Sequence, residues 1–196
     1  MRPASRVTLT LALALTLGGV PAAAQREVPA GVVREGTLAF DARATAGDFT
    51  GTTQTVTGEM TGGELSAVRG WVEASTKSLV TGNDRRDRDL NKSMESGKYP
   101  TIRFELDGVT PGAARGDTLG VTLKGRFTIH GVTREAELPA AVVLAPDAVK
   151  VRADTPLNLK DYKIGGLSKA FGMLRMHEEI RVRVDLTFTP QANRVN

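Results

Sequence analysis

The chain has 196 residues, with 26 basic and 22 acidic side chains, no cysteine and only 5% aromatic residues. Two of its four net positive charges are Arg2 and Arg6 at the extreme N-terminus; the remainder is too nearly balanced for an electrostatic nucleic-acid binder, and the aromatics are too few for a base- or sugar-stacking platform. Without cysteine there is no disulfide framework, thiol nucleophile or lipid-modified N-terminal cysteine, so stability must come from packing.

Residues 1–24 read as a secretory signal peptide: Arg2 and Arg6, an apolar stretch from Val7 to Val20, then Ala22-Ala23-Ala24, with cleavage expected after Ala24. That stretch is shorter than the roughly 20 residues that cross a bilayer and no other segment approaches it, so an integral membrane protein is not expected. Residues 25–190 are expected to form one domain, and 191–196 a disordered C-terminal tail. The location implied is periplasmic or secreted.

Period-two alternation begins at "TLAFDAR" (Leu38, Phe40, Ala42) and recurs at "TQTVTGEM" and "LSAVRGWVEAS" (Val68, Val72, Ala74). Next comes "TGNDRRDRDLNKS", residues 81–93, which reads as a short helix capped by Asn83 or Asp84. Asp84–Arg88 and Arg85–Asp89 stand at i,i+4, and Leu90 and Met94 supply one narrow apolar edge. Strands resume at "TIRFELDGV" (Ile102, Phe104, Leu106) and through "DTLGVTLKGRFTIHGVTREAELPAAVVL". If His130-Gly131 is a two-residue hairpin turn, Ile129 faces Val132, Leu123 faces Leu138 and Leu119 faces Val142, keeping the apolar residues on one face. "AVKVRADTPLNL" (Val149, Val151) and "EIRVRVDLTF" (Ile180, Val182, Val184, Leu186, Phe188) complete about eight strands.

Each strand has one charged and one apolar face, so the expected fold is all-β: an eight-stranded antiparallel barrel with the helix between strands 3 and 4. A two-sheet sandwich is the rival. Gly70 and Gly125, on the inward parity, read as bulges or barrel corners that also leave lumen space. Residues 160–177, "KDYKIGGLSKAFGMLRMH", are too long for a plain hairpin loop; Ile164, Leu167, Phe171 and Leu174 recur at three- and four-residue spacing, as a plug or a lid would require.

Tests for polar chemistry fail. Asp87-Arg88-Asp89-Leu90-Asn91 starts like a calcium loop, but its sixth and twelfth places hold Lys92 and Lys98. The three interleaved aspartates cancel the field of the three arginines, so a solvated, internally paired helix is expected. His130 and His177 have no neighbours at metal-ligand spacing, and a lone turn histidine such as His130 is usually solvated. "GLSKA" lacks the last glycine of a nucleophile elbow. The inward positions are aliphatic or phenylalanine, offering no acid–base pair.

"SLVTGNDRRDRDLNKSMESGKYPTIRFEL" followed by "LKGRFTIHGVTREAELP" resembles the paired signature of the YceI-like family: T-G-N, R-D and L in a helix leading to Y-P-x-I-x-F, then L-x-G-x-F/L-T-I-x-G-V-T. "EIRVRVDLTF" is similar to that family's closing strand, whereas "NKSMESGK" and the loop 160–177 depart from its pattern. The resemblance implies an exported bacterial protein with a lipocalin-like barrel that holds a long isoprenoid chain, of polyprenyl or quinone type, in its lumen. It also implies that Thr81-Gly82-Asn83 forms the strand-to-helix turn, that Asp87 and its arginine neighbours hold the helix in place, and that Leu90 docks toward the barrel. Arg85, Arg86 and Arg88 are left as candidates to meet a lipid head-group.

The expected function is therefore to bind, sequester or carry an amphiphilic isoprenoid-like lipid in the bacterial envelope, without enzyme activity, metal or resident cofactor. The expected lumen lining is Phe40, Val72, Phe104, Leu119, Val121, Leu123, Phe127, Leu138, Val142, Val151, Ile180 and Val184, with Ile164, Leu167, Phe171 and Leu174 as a lid. The partner would be the lipid, with room for a homodimer. One alternative is a barrel filled by its own side chains that contacts an envelope partner through its loops. Another is a lipid-acting enzyme using Tyr162, Ser168 or His177 at the mouth.

Overall fold

One-sided strands cannot leave their apolar faces in water, and the chain buries them by closing its sheet on itself. The structure, a computed structural model, describes residues 27–165, 168–169 and 174–190, with side chains described for 27–165 and 175–190. The signal peptide and the C-terminal tail expected from sequence lie outside these residues.

In chain order the strands are β1 (Glu27–Val28), β2 (Gly31–Ala44), β3 (Phe49–Thr53), β4 (Val56–Met60), β5 (Gly63–Glu64) and β6 (Gly70–Ser75). Helix α1 (Asp84–Ser93) follows, then β7 (Thr101–Arg115), β8 (Thr118–Ile129), β9 (Val132–Leu144), β10 (Val149–Asn158), β11 (Ser168–Lys169) and β12 (Leu174–Pro190). The antiparallel order β2-β4-β6-β7-β8-β9-β10-β12 closes when β12 pairs back with β2. This is the expected eight-stranded barrel, with its helix between the third and fourth barrel strands.

The hairpin register matches the parity argument: Leu119 pairs with Val142, Leu123 with Leu138 and Ile129 with Val132. His130 and Gly131 both have positive φ, 52° and 72°, as a two-residue turn compatible with strand twist requires. Opposite Gly125, β7 carries an irregularity between Leu106 and Gly108. A Cβ at position 125 would stand 2.0 Å from the Glu105 carbonyl oxygen, so only glycine admits this close approach.

Three local expectations change. The strand read over 53–60 is broken, because the Thr53 hydroxyl accepts from the Thr55 N–H at 3.0 Å and bonds Ser78 Oγ at 2.7 Å, bending the chain between β3 and β4. "LSAVRGWVEAS" is not one strand: Leu65–Ala67 is a 3-10 turn, which buries Leu65 and Val68, three residues apart, on the same side. That turn and the β1–β5 ribbon close the barrel base, where Val28, Leu65 and Val68 pack with Leu119, Val149 and Phe188.

His130 is the third correction. It is not solvated but buried, with its ring 4.6 Å from that of Tyr99. The cause is the seam between β9 and β10, which pair only over Ala140–Leu144 and Val149–Ala153. Beyond that stretch a 3-10 turn, Leu159–Tyr162, is tied to the β8–β9 turn and to β9 by side chains. His130 Nδ1–H donates to the Tyr162 carbonyl at 3.0 Å, and Arg134 Nε donates to that of Asp161 at 2.7 Å.

Of the segment read as a plug or lid, Ile164 is buried in the mouth-side core beside Leu159 and Tyr162. Leu174 begins the backbone of β12, paired with Lys169; Leu167 and Phe171 lie outside the described residues.

Candidate functional site

Two apolar cavities are stacked along the lumen: one of about 340 Å³ at the helix end and one of about 130 Å³ toward the base. Leu38, Ile102 and Phe127 border both, so a single layer of side chains forms the waist between them.

The inward parity of the strands supplies most of the wall. Of the twelve residues singled out from sequence, Phe40 and Ile180 line the mouth cavity, Phe127 lines both, and Val72, Phe104, Leu123, Leu138, Val142, Val151 and Val184 line the deeper one. Leu119 and Val121 lie elsewhere, buried in the packed base at 0% and 5% exposure. Phe104 and Phe127 stack obliquely at 4.8 Å, and Phe40 meets Phe49 edge-on at 6.2 Å. Phe40 can lie flat against the wall because its strand partner is Gly51, whose absent Cβ would fall 2.2 Å from the ring.

At the mouth, Arg85 and Arg86 of the three arginines offered as head-group candidates line the cavity, and Arg88 does not. Helix α1 and its caps roof it, presenting Asn83, Arg85, Arg86, Asp89, Leu90, Ser93 and Met94, while the β2–β3 turn supplies Thr45, Ala46 and Gly47, and β3 supplies Phe49. The apolar edge of Leu90 and Met94 was visible at i,i+4; which of the three arginines turn toward the cavity was not, since nothing in a charge run says which members face inward.

The helix is held as the motif implied, by hydrogen bonds to the loop that precedes it. Asn83 caps it by accepting from the Arg86 N–H at 3.0 Å. Asp87 Oδ1 accepts from the Thr81 N–H at 2.8 Å and its hydroxyl at 2.5 Å. Thr81 in turn receives Arg86, Nε on its hydroxyl at 2.9 Å and Nη2 on its carbonyl at 3.2 Å. The i,i+4 pairs Asp84–Arg88 and Arg85–Asp89 expected from sequence are not among the ion pairs of the described residues. Arg86 instead stacks over Phe49, 4.3 Å from its centroid.

Outside the barrel, polar groups pair across strands. Asp41 of β2 accepts from Thr50 at 2.6 Å and from Arg183 of β12 at 2.8 Å; the Thr50 hydrogen bond first, with the Arg183 charge and hydrogen bond added, holds its carboxyl below the usual range against the opposing effect of burial. The hydrogen bond from Lys160 likewise lowers Glu178. Burial raises the Tyr162 phenol. Tyr162 is buried in the mouth-side core whereas His177 is exposed on β12, so these two candidate catalytic groups are not brought together.

Residues 32–188 match the sequence model of the YceI-like domain. No curated protein sequence matches the chain. Among solved structures, the fold is similar to a polyisoprenoid binding domain from Saccharophagus degradans implicated in plant cell wall breakdown, at 16% identity and TM-score 0.70, covering 84% of this chain and 99% of that one. It is similar to BcnA of Burkholderia cenocepacia at 10% identity and TM-score 0.65, covering 78% and 95%. The YCEI protein of Campylobacter jejuni aligns at 13% identity and TM-score 0.52, covering 96% and 99%. At these identities the likeness is one of fold.

Proposed function

The chain belongs to the YceI-like family, and from that premise we propose that its barrel binds one amphiphilic isoprenoid-like lipid, of polyprenyl or quinone type, and sequesters or carries it in the bacterial envelope. The observation that carries this reading is the pair of stacked apolar cavities. A barrel filled by its own side chains packs at near-crystalline density and keeps few voids larger than a water; this lumen has room for a chain. The wall of the deeper cavity is apolar apart from Glu59 at its edge, a surface suited to a hydrocarbon and not to polar catalysis. The Saccharophagus protein of the same fold is described as polyisoprenoid binding, which supports the same reading. The signal-like N-terminus supports export.

Burial of apolar surface at roughly 25 cal/mol per Å² drives such binding, so each added isoprenoid unit strengthens it until the lumen is full. The test is a titration with isoprenoid alcohols of increasing length. Affinity that climbs with each unit and then levels off supports the proposal; affinity independent of length contradicts it.

A further inference from the structure

A lipid threaded tail-first toward the base leaves its head at the mouth, and the groups there are cationic. Among the described residues lining the mouth cavity, three arginines, Arg85, Arg86 and Arg175, face a single acid, Asp89. Arg175 has a carboxylate, Glu178 Oε1 at 3.6 Å. Arg86 and Arg85 have none within ion-pair distance among the described residues.

Arg86 is the unusual one. It is half-buried, its plane is covered by the Phe49 ring, and its Nε and one Nη2 hydrogen are fixed on Thr81. The carboxylate next to it in sequence, Asp87, is already committed to Thr81. Three of the five guanidinium donors therefore have no hydrogen-bond partner among the described residues. Withdrawing a charge from water without a counter-ion is unfavourable, and a guanidinium already oriented by Thr81 and Phe49 loses little entropy when it meets an anion. Arg85, exposed and without a polar partner among the described residues, lines the same cavity one residue away. One cation is pre-oriented, the other is free to close over a ligand, and both adjoin the apolar lumen.

We infer that the mouth recognises an anionic head-group, and that the lipid held here is an isoprenyl phosphate in preference to a neutral isoprenoid alcohol or quinone. This rests on the lumen binding proposed above. The phosphate oxygens take the uncommitted donors of Arg86 and the guanidinium of Arg85, while the chain descends past Phe40 and Phe127. Charge-assisted hydrogen bonds of this kind are the strong ones.

The experiment compares geranylgeranyl monophosphate with geranylgeraniol, equal in chain, on the purified protein at low and high salt. The phosphate is expected to bind roughly ten-fold more tightly at low salt, with the advantage shrinking as salt screens the rim. Arg85→Gln, which breaks no hydrogen bond or ion pair of the described residues, should remove several-fold of the phosphate's affinity and none of the alcohol's; Arg86→Lys, which keeps the charge but not the fork, should reduce the preference while the protein stays folded. Equal affinity for the two ligands, or a preference untouched in both variants, overturns the head-group assignment and leaves lumen binding standing. Failure of both ligands to bind overturns lumen binding and the assignment with it.

Discussion

Replacing Val184 by phenylalanine tests whether a chain passes the waist of the lumen. Val184 pairs with Leu38 across the β2–β12 seam and with Ala153 of β10, and it lines the deeper cavity just below Val182, which lines the mouth. Phenylalanine adds about four carbons, worth about 3 kcal/mol if all are buried at about 0.8 kcal/mol per methylene. Overpacking returns about 1–3 kcal/mol. Folding stability should therefore shift by less than about 2 kcal/mol, read by urea denaturation, and the variant should fold. The ring occupies space a ligand's tail would use. Each isoprenoid unit turned away forfeits at least about 2 kcal/mol of burial, roughly a 30-fold loss in affinity. In the chain-length titration, short isoprenoids that fit the mouth cavity should bind the variant as they bind the native protein, and the gain per unit should stop earlier. A folded Val184→Phe protein with the native length dependence would refute threading past Leu38 and Phe127.

Other sites give independent checks. Leu123→Glu places a carboxylate on the wall of the deeper cavity; the folded variant should lose lipid binding at neutral pH and regain part of it in acid, as the apolar surroundings favour the protonated form, and unchanged retention at neutral pH would contradict lumen binding. Asp87→Ala strips the acceptor from the Thr81 N–H and hydroxyl, and should cost about 1–3 kcal/mol in denaturant unfolding. Asp41→Asn removes a carboxylate whose pKa is depressed by Thr50 and Arg183. Because the folded-state value is the lower one, its stabilisation is present above the ordinary carboxylate range and fades as pH falls through the folded value. The two proteins should therefore differ by under about 1 kcal/mol at pH 7, given the exposure of the pair, and converge in strong acid. A difference that grows on acidification would reverse the sign of the argument.

What was legible in the sequence follows from period two. Once Leu119, Leu123, Phe127 and Ile129 are set on one parity and the turn is placed at His130-Gly131, every cross-strand pair to Val142 follows, and the structure keeps them all. Parity assigns a face but not a depth, which is why Leu119 and Val121, inward like their neighbours, ended in the packed base. The 3-10 turn at Leu65–Ala67 was hidden because an apolar pair three residues apart resembles a strand with one irregular step. The burial of His130 and the inward turn of Arg86 depend on partners far off in sequence, Tyr162 at 32 residues for the first and Phe49 for the second. No local pattern encodes such contacts. The charged helix illustrates this best: its sequence pattern pointed to the family, while its role at the mouth of the lumen became visible only in three dimensions.

The central claim is that the barrel holds an isoprenoid lipid. It is tested most directly by purifying the protein from a bacterial envelope without detergent, extracting it with organic solvent and weighing the extract by mass spectrometry, beside a native mass of the intact protein. One isoprenoid lipid per barrel, matching the excess in the native mass, is the predicted result. A protein that emerges lipid-free, and whose native mass stays unchanged after incubation with a long-chain isoprenoid, would contradict it.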